Sequence, residues 1–183
     1  MRHGQAENPE KIIYGRRDGF PLSVEGREQV RRSGQRLADR SLAAIYSSPL
    51  TRCFETAEIV AKKVGKSVLT DARLVEIKNY YEGRTVADYD RMFLAKSVYD
   101  DPNQIKFGET AQDICDRMRS FLEEILGRHK DQVILVVSHA DPIMILKYYL
   151  EGRDYHHFYK IAAEYLKKGE YFEFCFEGVE LVK

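Results

Sequence analysis

The sequence predicts a single α/β domain covering residues 1–183, on three observations. Short apolar runs alternate with helical patterns from end to end. No long Gly/Ser/Pro linker or internal repeat interrupts them. The strongest apolar run, Val133-Ile134-Leu135-Val136-Val137, leads directly into a helical pattern, as a central parallel strand does. A chain of 183 residues falls in the range of one domain and can bury a core without disulfide or metal staples.

The elements follow in order. Ser23 is a candidate cap for a helix to Ala38, with Val30, Leu37 and Ala38 on one stripe. Ala43 to Tyr46 reads as a short buried strand that runs into Ser47-Ser48-Pro49, with Pro49 as the first residue of the next helix. That helix carries Leu50, Phe54, Ala57 and Val60 on one side and stops near Gly65. Val68 and Leu69 suggest a second strand, and Val86 to Ala95 a helix. Thr110 and Asp113 form a capping-box pattern for a helix bearing Ile114, Met118, Phe121, Leu122 and Ile125. After the Val133–Val137 strand, Asp141-Pro142 starts a helix through Ile145 and Tyr149. Phe172, Phe174 and Phe176 alternate ahead of Gly178, which predicts a closing hairpin at a sheet edge.

Composition narrows the function classes. Lys plus Arg and Asp plus Glu both number 29, so the basic excess of a nucleic-acid or membrane-surface protein is missing. Cys53, Cys115 and Cys175 show no C-x-x-C spacing, which favours reduced thiols in a cytoplasmic protein. No apolar run approaches the ~20 residues that cross a bilayer.

Two strand-to-helix junctions carry chemistry-bearing side chains. Arg52 falls in the first turn after Pro49, and His139 lies between the strongest strand and its helix. Such junctions bind ligands, because free N–H groups and the helix dipole favour anions. An Arg there grips phosphate oxygens with charge-assisted hydrogen bonds.

The chain also opens on Arg2-His3-Gly4, an imidazole beside a guanidinium, with a glycine read as letting the backbone approach a ligand. Further blocks follow: Gly15-Arg16, Pro21-Leu22-Ser23 with Gly26, and Ser47-Ser48-Pro49-Leu50-x-Arg52. Leu74-x-Glu76, Glu82-Gly83, Gly108-Glu109-Thr110 and Val137-Ser138-His139 complete the series. In this order the chain resembles the histidine phosphatase superfamily, which includes the phosphoglycerate mutases. The resemblance implies a three-layer α/β/α sandwich of phosphoglycerate-mutase-like fold.

It implies, too, phosphomonoester hydrolysis with His3 as nucleophile and a phosphohistidine intermediate. Arg2, Arg52 and His139 would surround the phosphoryl oxygens, with Arg16 as a further phosphate contact. Glu76 matches the proton donor, and Glu82 is the alternative donor a few residues away. No metal or other cofactor is implied. The partner would be a small phosphorylated metabolite or a protein phosphohistidine. Mutase-type phosphoryl transfer is the nearest alternative, and a non-catalytic phospholigand-binding module is another. The modest length, with little room for covering insertions, favours hydrolysis.

The chain departs from the family pattern at Asn8, one place early, and at Ala140-Asp141-Pro142, where a glycine often follows the second histidine. The segment Asn79 to Gly83 is shortened.

Other residues favour plainer roles. Arg27, Arg31, Arg32, Arg36 and Arg40 read as a solvated helix face, and His156-His157 as structural or exposed. Tyr80, Tyr81, Phe93 and Tyr99 fit a substrate lid and ordinary packing equally. Cys53, beside Arg52, is expected to pack its helix, with some activation of its thiol.

The usual first central strand, which precedes R-H-G in the family, is missing, since only Met1 stands before Arg2. Without it, neighbouring strand edges are expected to lack partners and His3 to fray. The expectation is therefore a misplaced start or a truncated chain. Intact-mass measurement of the native protein tests it: a mass above that of the Met1–Lys183 chain agrees, and a mass matching Met1 as first residue refutes it.

Overall fold

The computed structural model describes residues 1–93, 97–160, 164–178 and 180–182. Helix α1 runs Val24–Leu37, capped by Ser23, whose hydroxyl accepts from the Gly26 N–H. Its stripe of Gly26, Val30, Ser33, Gly34 and Leu37 is buried. Strand β1 is Ala44–Ser47 and helix α2 is Thr51–Val64, closed by Gly65 in the left-handed conformation at φ 66°.

The α2 start corrects the reading of Pro49 as its first residue. The Ser48 N–H still bonds Val137 O at 2.9 Å, so the chain leaves the sheet late. Asp18, from a distant loop, then accepts from the Thr51 N–H at 2.9 Å and Oγ1 at 2.6 Å, capping the helix two residues further on.

Strand β2 (Val68–Thr70) precedes a short turn of helix at Ala72–Leu74, and helices α3 (Val86–Met92) and α4 (Pro102–Phe107) follow. Ala95, expected to end α3, lies outside the described residues. Helix α5 (Ala111–Arg128) opens on the full Thr110–Asp113 capping box. Strand β3 is Ile134–Val137, and helix α6 is Ala140–Leu150 with His139 at its N-cap.

The parallel sheet has the order β2-β1-β3, with Ile45 facing Val68 and Leu135. Side-chain alternation splits the core in two. Ile45, Leu135 and Val137 meet Val30 and Leu37 of α1 and Cys53, Ala57 and Val60 of α2. On the other face Tyr46 meets Ile114, Met118 and Phe121 of α5 and Met144 and Ile145 of α6. The result is the expected α/β/α sandwich. Ile134 and Val136 are only half-buried and Val133 is exposed, so β3 is less enclosed than its apolar run implies.

Beside β3 no full strand forms among the described residues, but its edge is covered. The Met1 amino group donates to Val136 O (2.7 Å), Ser138 N–H to Met1 O (3.0 Å) and His3 N–H to Ser138 O (3.1 Å). On the outer side, Arg2 N–H bonds Glu170 O and Gly169 N–H bonds His3 O. His3 is thus held between two partners rather than frayed. The Phe-rich tail forms its hairpin, β4 (Cys175–Glu177) with β5 (Glu180–Val182), as a separate antiparallel pair. It was expected at an edge of the sheet but does not join it, and residues 169–170 instead bond the outer side of Arg2 and His3.

The arginine face of α1 does more than meet solvent: Arg36 pairs with Glu170 at 2.5 Å, Arg40 with Glu173, and Arg27 with Glu55 at 3.0 Å. Gly4 likewise serves packing rather than ligand approach. A Cβ there would lie 2.5 Å from the Gly26 carbonyl oxygen, and one on Gly26 would lie 2.0 Å from that of Gln5. Both obstacles are backbone and cannot turn aside. Gly26→Ala is therefore expected to destabilise the fold by about 3 kcal/mol, lowering Tm by about 6–12 °C in a thermal melt.

Candidate active site

The carboxyl ends of β1 and β3, the turn after β2 and the amino-terminal segment deliver four side chains to one place. His3 follows the bridge between Arg2 and Ser138, and His139 sits at the N-cap of α6. Arg52 lies in the first turn of α2, and Glu76 follows the Ala72–Leu74 turn. The rings of His3 and His139 meet edge to face with centroids 5.2 Å apart. His3, Arg52 and His139 are buried, so the partly exposed Arg2 and Glu76 mark the open side of the cluster.

Hydrogen bonds set both imidazole tautomers. His3 Nδ1 is 2.7 Å from Gly4 O, which can only accept, so Nδ1 carries the hydrogen and Nε2 keeps its lone pair. His139 Nδ1 accepts from Arg52 Nη2 at 3.2 Å, so its Nε2–H donates to Ser48 Oγ at 2.9 Å. Burial foremost, then the Arg52 charge, holds both rings well below the usual histidine range. The Arg2 charge acts in the same direction on each. Both are neutral at pH 7.

Arg52 is fully buried, yet among the described residues no carboxylate pairs with its guanidinium within hydrogen-bond distance. Nη2 donates to Gly15 O at 2.6 Å, and the Tyr14 ring lies 4.6 Å below Cζ. Arg2 Nη1 donates to Leu166 O at 2.7 Å, with the Tyr165 ring 5.4 Å away. In both arginines Nε is buried without a partner. Two orphaned charge-bearing donors at one cluster call for the oxygens of an anion.

Glu76 Oε2 stands 3.7 Å from His139 Nδ1, too far for a hydrogen bond, and Oε1 accepts from the Ile77 N–H at 3.0 Å. Burial pushes its carboxyl up to about 7, Asp141 adds to the rise, and Arg52 and Arg2 oppose it.

The two remaining candidates stand behind this cluster. Arg16 donates from Nε to Glu76 O (2.7 Å) and from Nη2 to Glu109 Oε2 (2.8 Å), a carboxylate it shares with Arg117. These contacts brace the Glu76 backbone. Glu82 accepts from Arg16 N–H at 2.9 Å and Asn79 N–H at 3.4 Å, joining two loops away from the imidazoles.

Several contributors were not singled out in the sequence. Ser48 and Tyr14 orient His139 and Arg52 through the contacts above. Asp141 takes the hydroxyls of Tyr99, at 2.8 Å, and Tyr165. Ser48 lies inside the Ser-Ser-Pro block, which is a usable signal, whereas Tyr14 and Tyr165 have none. The Cys53 thiol donates to Ser138 O at 3.4 Å and burial pushes it up to about 12, which corrects the expected activation and leaves the packing role. Tyr81 and Tyr99 are buried while Tyr80 is exposed and stacked on Phe107. His156 and His157 are exposed.

His3, Glu76 and His139 each bring one donor atom within 4.8 Å of the others, the one such trio among the described residues. The His139 Nδ1 lone pair is taken by Arg52, and two guanidinium charges repel a cation, so the trio suits an anion. A parallel α/β sheet with such a cluster at its strand ends offers its donors to an anion. The family model of the histidine phosphatase superfamily (branch 1) matches residues 1–170, and the chain belongs to that family.

Among relatives, the uncharacterised protein Rv0525 of Mycobacterium tuberculosis is 36% identical over 156 residues, 84% of this chain and 77% of its own length. Phosphoserine phosphatase 1 of Hydrogenobacter thermophilus is 31% identical over 172 residues, 90% of this chain and 80% of its own length. The solved structure of Bacillus stearothermophilus YhfR superposes with a TM-score of 0.84 at 27% identity, covering 99% of this chain and 91% of the other. No described helix is long and apolar enough to cross a membrane.

Glu76 makes stability depend on pH with a definite sign. Its folded value of about 7 lies above the ordinary 4.5, so between these the folded state holds a proton the unfolded chain has lost. That contribution is full below about pH 4.5 and fades as pH rises through 7. The histidines act oppositely: the unfolded chain takes up protons below pH 6.5 that the folded site refuses, so stability falls on acidification. Glu76→Gln removes only the first effect. Relative to wild type, the variant is expected to gain about 1 kcal/mol per pH unit from pH 5 to 6.5 in urea unfolding, and nothing above pH 8.

Proposed function

We propose that this protein hydrolyses small phosphomonoesters through a phosphohistidine on His3, without a metal. The observation that carries the reading is the His3 Nε2 lone pair, freed by the Gly4 contact and set among guanidinium donors that lack partners. The neutral Nε2 attacks phosphorus as the bond from phosphorus to the ester oxygen breaks. Arg2, Arg52 and the His139 ring hold the charge on the phosphoryl oxygens. Arg52 needs its unused Nε and a shift of Nη2 for this, and His139 needs to exchange tautomer, with the Ser48 hydroxyl donating to Nε2, so that Nδ1–H can donate to a phosphoryl oxygen.

Glu76 gives its proton to the departing alkoxide, and its elevated value keeps a large fraction protonated near neutral pH. In the second step water attacks phosphorus and yields its proton to the Glu76 carboxylate. The N–P bond breaks and inorganic phosphate leaves. Glu76 rather than Glu82 fits this role, because Glu82 bonds loop amides while Glu76 faces His139. Arg16 fits a bracing role better than a phosphate contact, since its Nε and Nη2 already have partners.

The name of the Hydrogenobacter relative makes phosphoserine the first substrate to test, ahead of other small phosphorylated metabolites. With a chromogenic phosphomonoester, His3→Ala is expected to lose at least about 10³-fold in kcat/KM. Phosphate release should equal alcohol release, whereas transfer to an added alcohol at the expense of phosphate would favour a mutase. Equal rates for wild type and His3→Ala would leave a binding module. On alkyl phosphates Glu76→Gln should lose turnover and Glu82→Gln should retain it; the reverse pattern exchanges their roles.

A further inference from the structure

Glu109 stands just before Thr110, the N-cap of α5, and gathers two arginines. Its Oε1 accepts from Arg117 Nε at 2.9 Å and its Oε2 from Arg117 Nη2 at 3.1 Å, a two-pronged grip. Oε2 also accepts from Arg16 Nη2 at 2.8 Å. Glu109 and Arg117 are largely withdrawn from water, so these contacts are little screened. One carboxylate thus holds together two guanidinium groups that repel each other without it.

Both arginines turn their other donors to the segment that carries Glu76. Glu76 O accepts from Arg16 Nε at 2.7 Å and lies 3.5 Å from Arg117 Nη2, while Arg117 Nη1 donates to Arg73 O. The Lys78 N–H reaches Glu109 Oε2 at 3.3 Å, and the Glu109 N–H reaches Lys78 O at 3.0 Å. The fully buried Gln104 closes the seam. Its Nε2 donates to Lys78 O at 2.9 Å and Glu109 O at 2.8 Å, and its Oε1 accepts from the Tyr80 N–H at 2.8 Å.

The peptide joining Glu76 to Ile77 carries this order into the side chain. Its carbonyl oxygen is the atom that the arginines hold, and its N–H donates to Glu76 Oε1 at 3.0 Å. A planar peptide turns as a unit, so fixing its oxygen aims its N–H. With Oε1 accepting that bond, the acid proton falls to Oε2, the oxygen 3.7 Å from His139 Nδ1.

We propose that Glu109 is a positioning residue that acts through Arg16, Arg117 and the 76–77 peptide. It keeps the proton-bearing oxygen of Glu76 turned toward the leaving group, which suits the site to esters of ordinary alcohols. The inference rests on the reading of Glu76 as proton donor. Oε2–H passes its proton to the ester oxygen as the bond from phosphorus breaks, leaving a neutral alcohol and the Glu76 carboxylate.

An alkoxide must be protonated as it departs, whereas 4-nitrophenolate leaves without a proton. The test compares kcat/KM at pH 7 on glycerol phosphate and on 4-nitrophenyl phosphate, for wild type, Glu109→Gln, Glu76→Gln and the double variant. This quantity reports the steps up to phosphorylation of His3, so the hydrolysis shared by both substrates does not enter it. Glu109→Gln should lose at least about tenfold on glycerol phosphate and stay within about threefold on 4-nitrophenyl phosphate. In the Glu76→Gln background the same substitution should cost less than about twofold on glycerol phosphate, because its effect runs through that carboxyl. A loss shared equally by both substrates, no loss on either, or an undiminished loss in the double variant overturns the proposal. Arg117→Lys keeps the charge but not the two-pronged grip, and it carries the same comparison if Glu109→Gln does not fold. Failure of the underlying reading shows separately, as Glu76→Gln cleaving glycerol phosphate at the wild-type rate.

Discussion

A guanidinium withdrawn from water, with no carboxylate bonded to it among the described residues, organises much of this molecule. Arg52 lies fully buried at the start of α2, and its donors reach Gly15 O and His139 Nδ1 while Tyr14 offers a ring face. A buried charge needs compensation, and carbonyl dipoles and a π face supply only part of it. The same charge depresses the basicity of both imidazoles and draws the Gly15 loop over the sheet. On the function proposed above, a doubly charged phosphoryl group would complete the compensation.

The supporting frame explains how that charge stays in place. Glu109 gathers Arg16 and Arg117, and both arginines reach the Glu76 carbonyl. Ser48 fixes the His139 ring from below, and the Gly4–Gly26 contact brings α1 against the chain just beyond His3. These contacts orient the side chains before any ligand arrives, so few of them need to reorganise around an incoming anion.

Local patterns made most of the sandwich legible. The Thr110–Asp113 box, Ser23 and Gly65 act within a few residues, and such signals survive in a sequence. Pro49 misled because Asp18, which moves the start of α2, is remote in the chain. The tail hairpin was recognisable, but its place was not, since residues 169–170 had already taken the edge beside Arg2 and His3. For the site, motif order brought His3, Arg52, Glu76 and His139 together correctly. The partners of Arg16 were hidden because they lie 60 and 93 positions away. Asp141 was legible as part of a helix start, but its bonds to Tyr99 and Tyr165 were not, because those residues lie 42 and 24 positions away.

The amino-terminal segment gives this architecture a temporal consequence. Met1 bonds Val136, and Arg2 reaches Leu166 across a separation of 164 positions. Contacts so distant along the chain close slowly and late in folding. His3 therefore gains Ser138 and Gly169 as neighbours only after very distant parts of the chain have packed against it. Its imidazole thus stays open to water through the early collapse and is enclosed only as assembly nears its end.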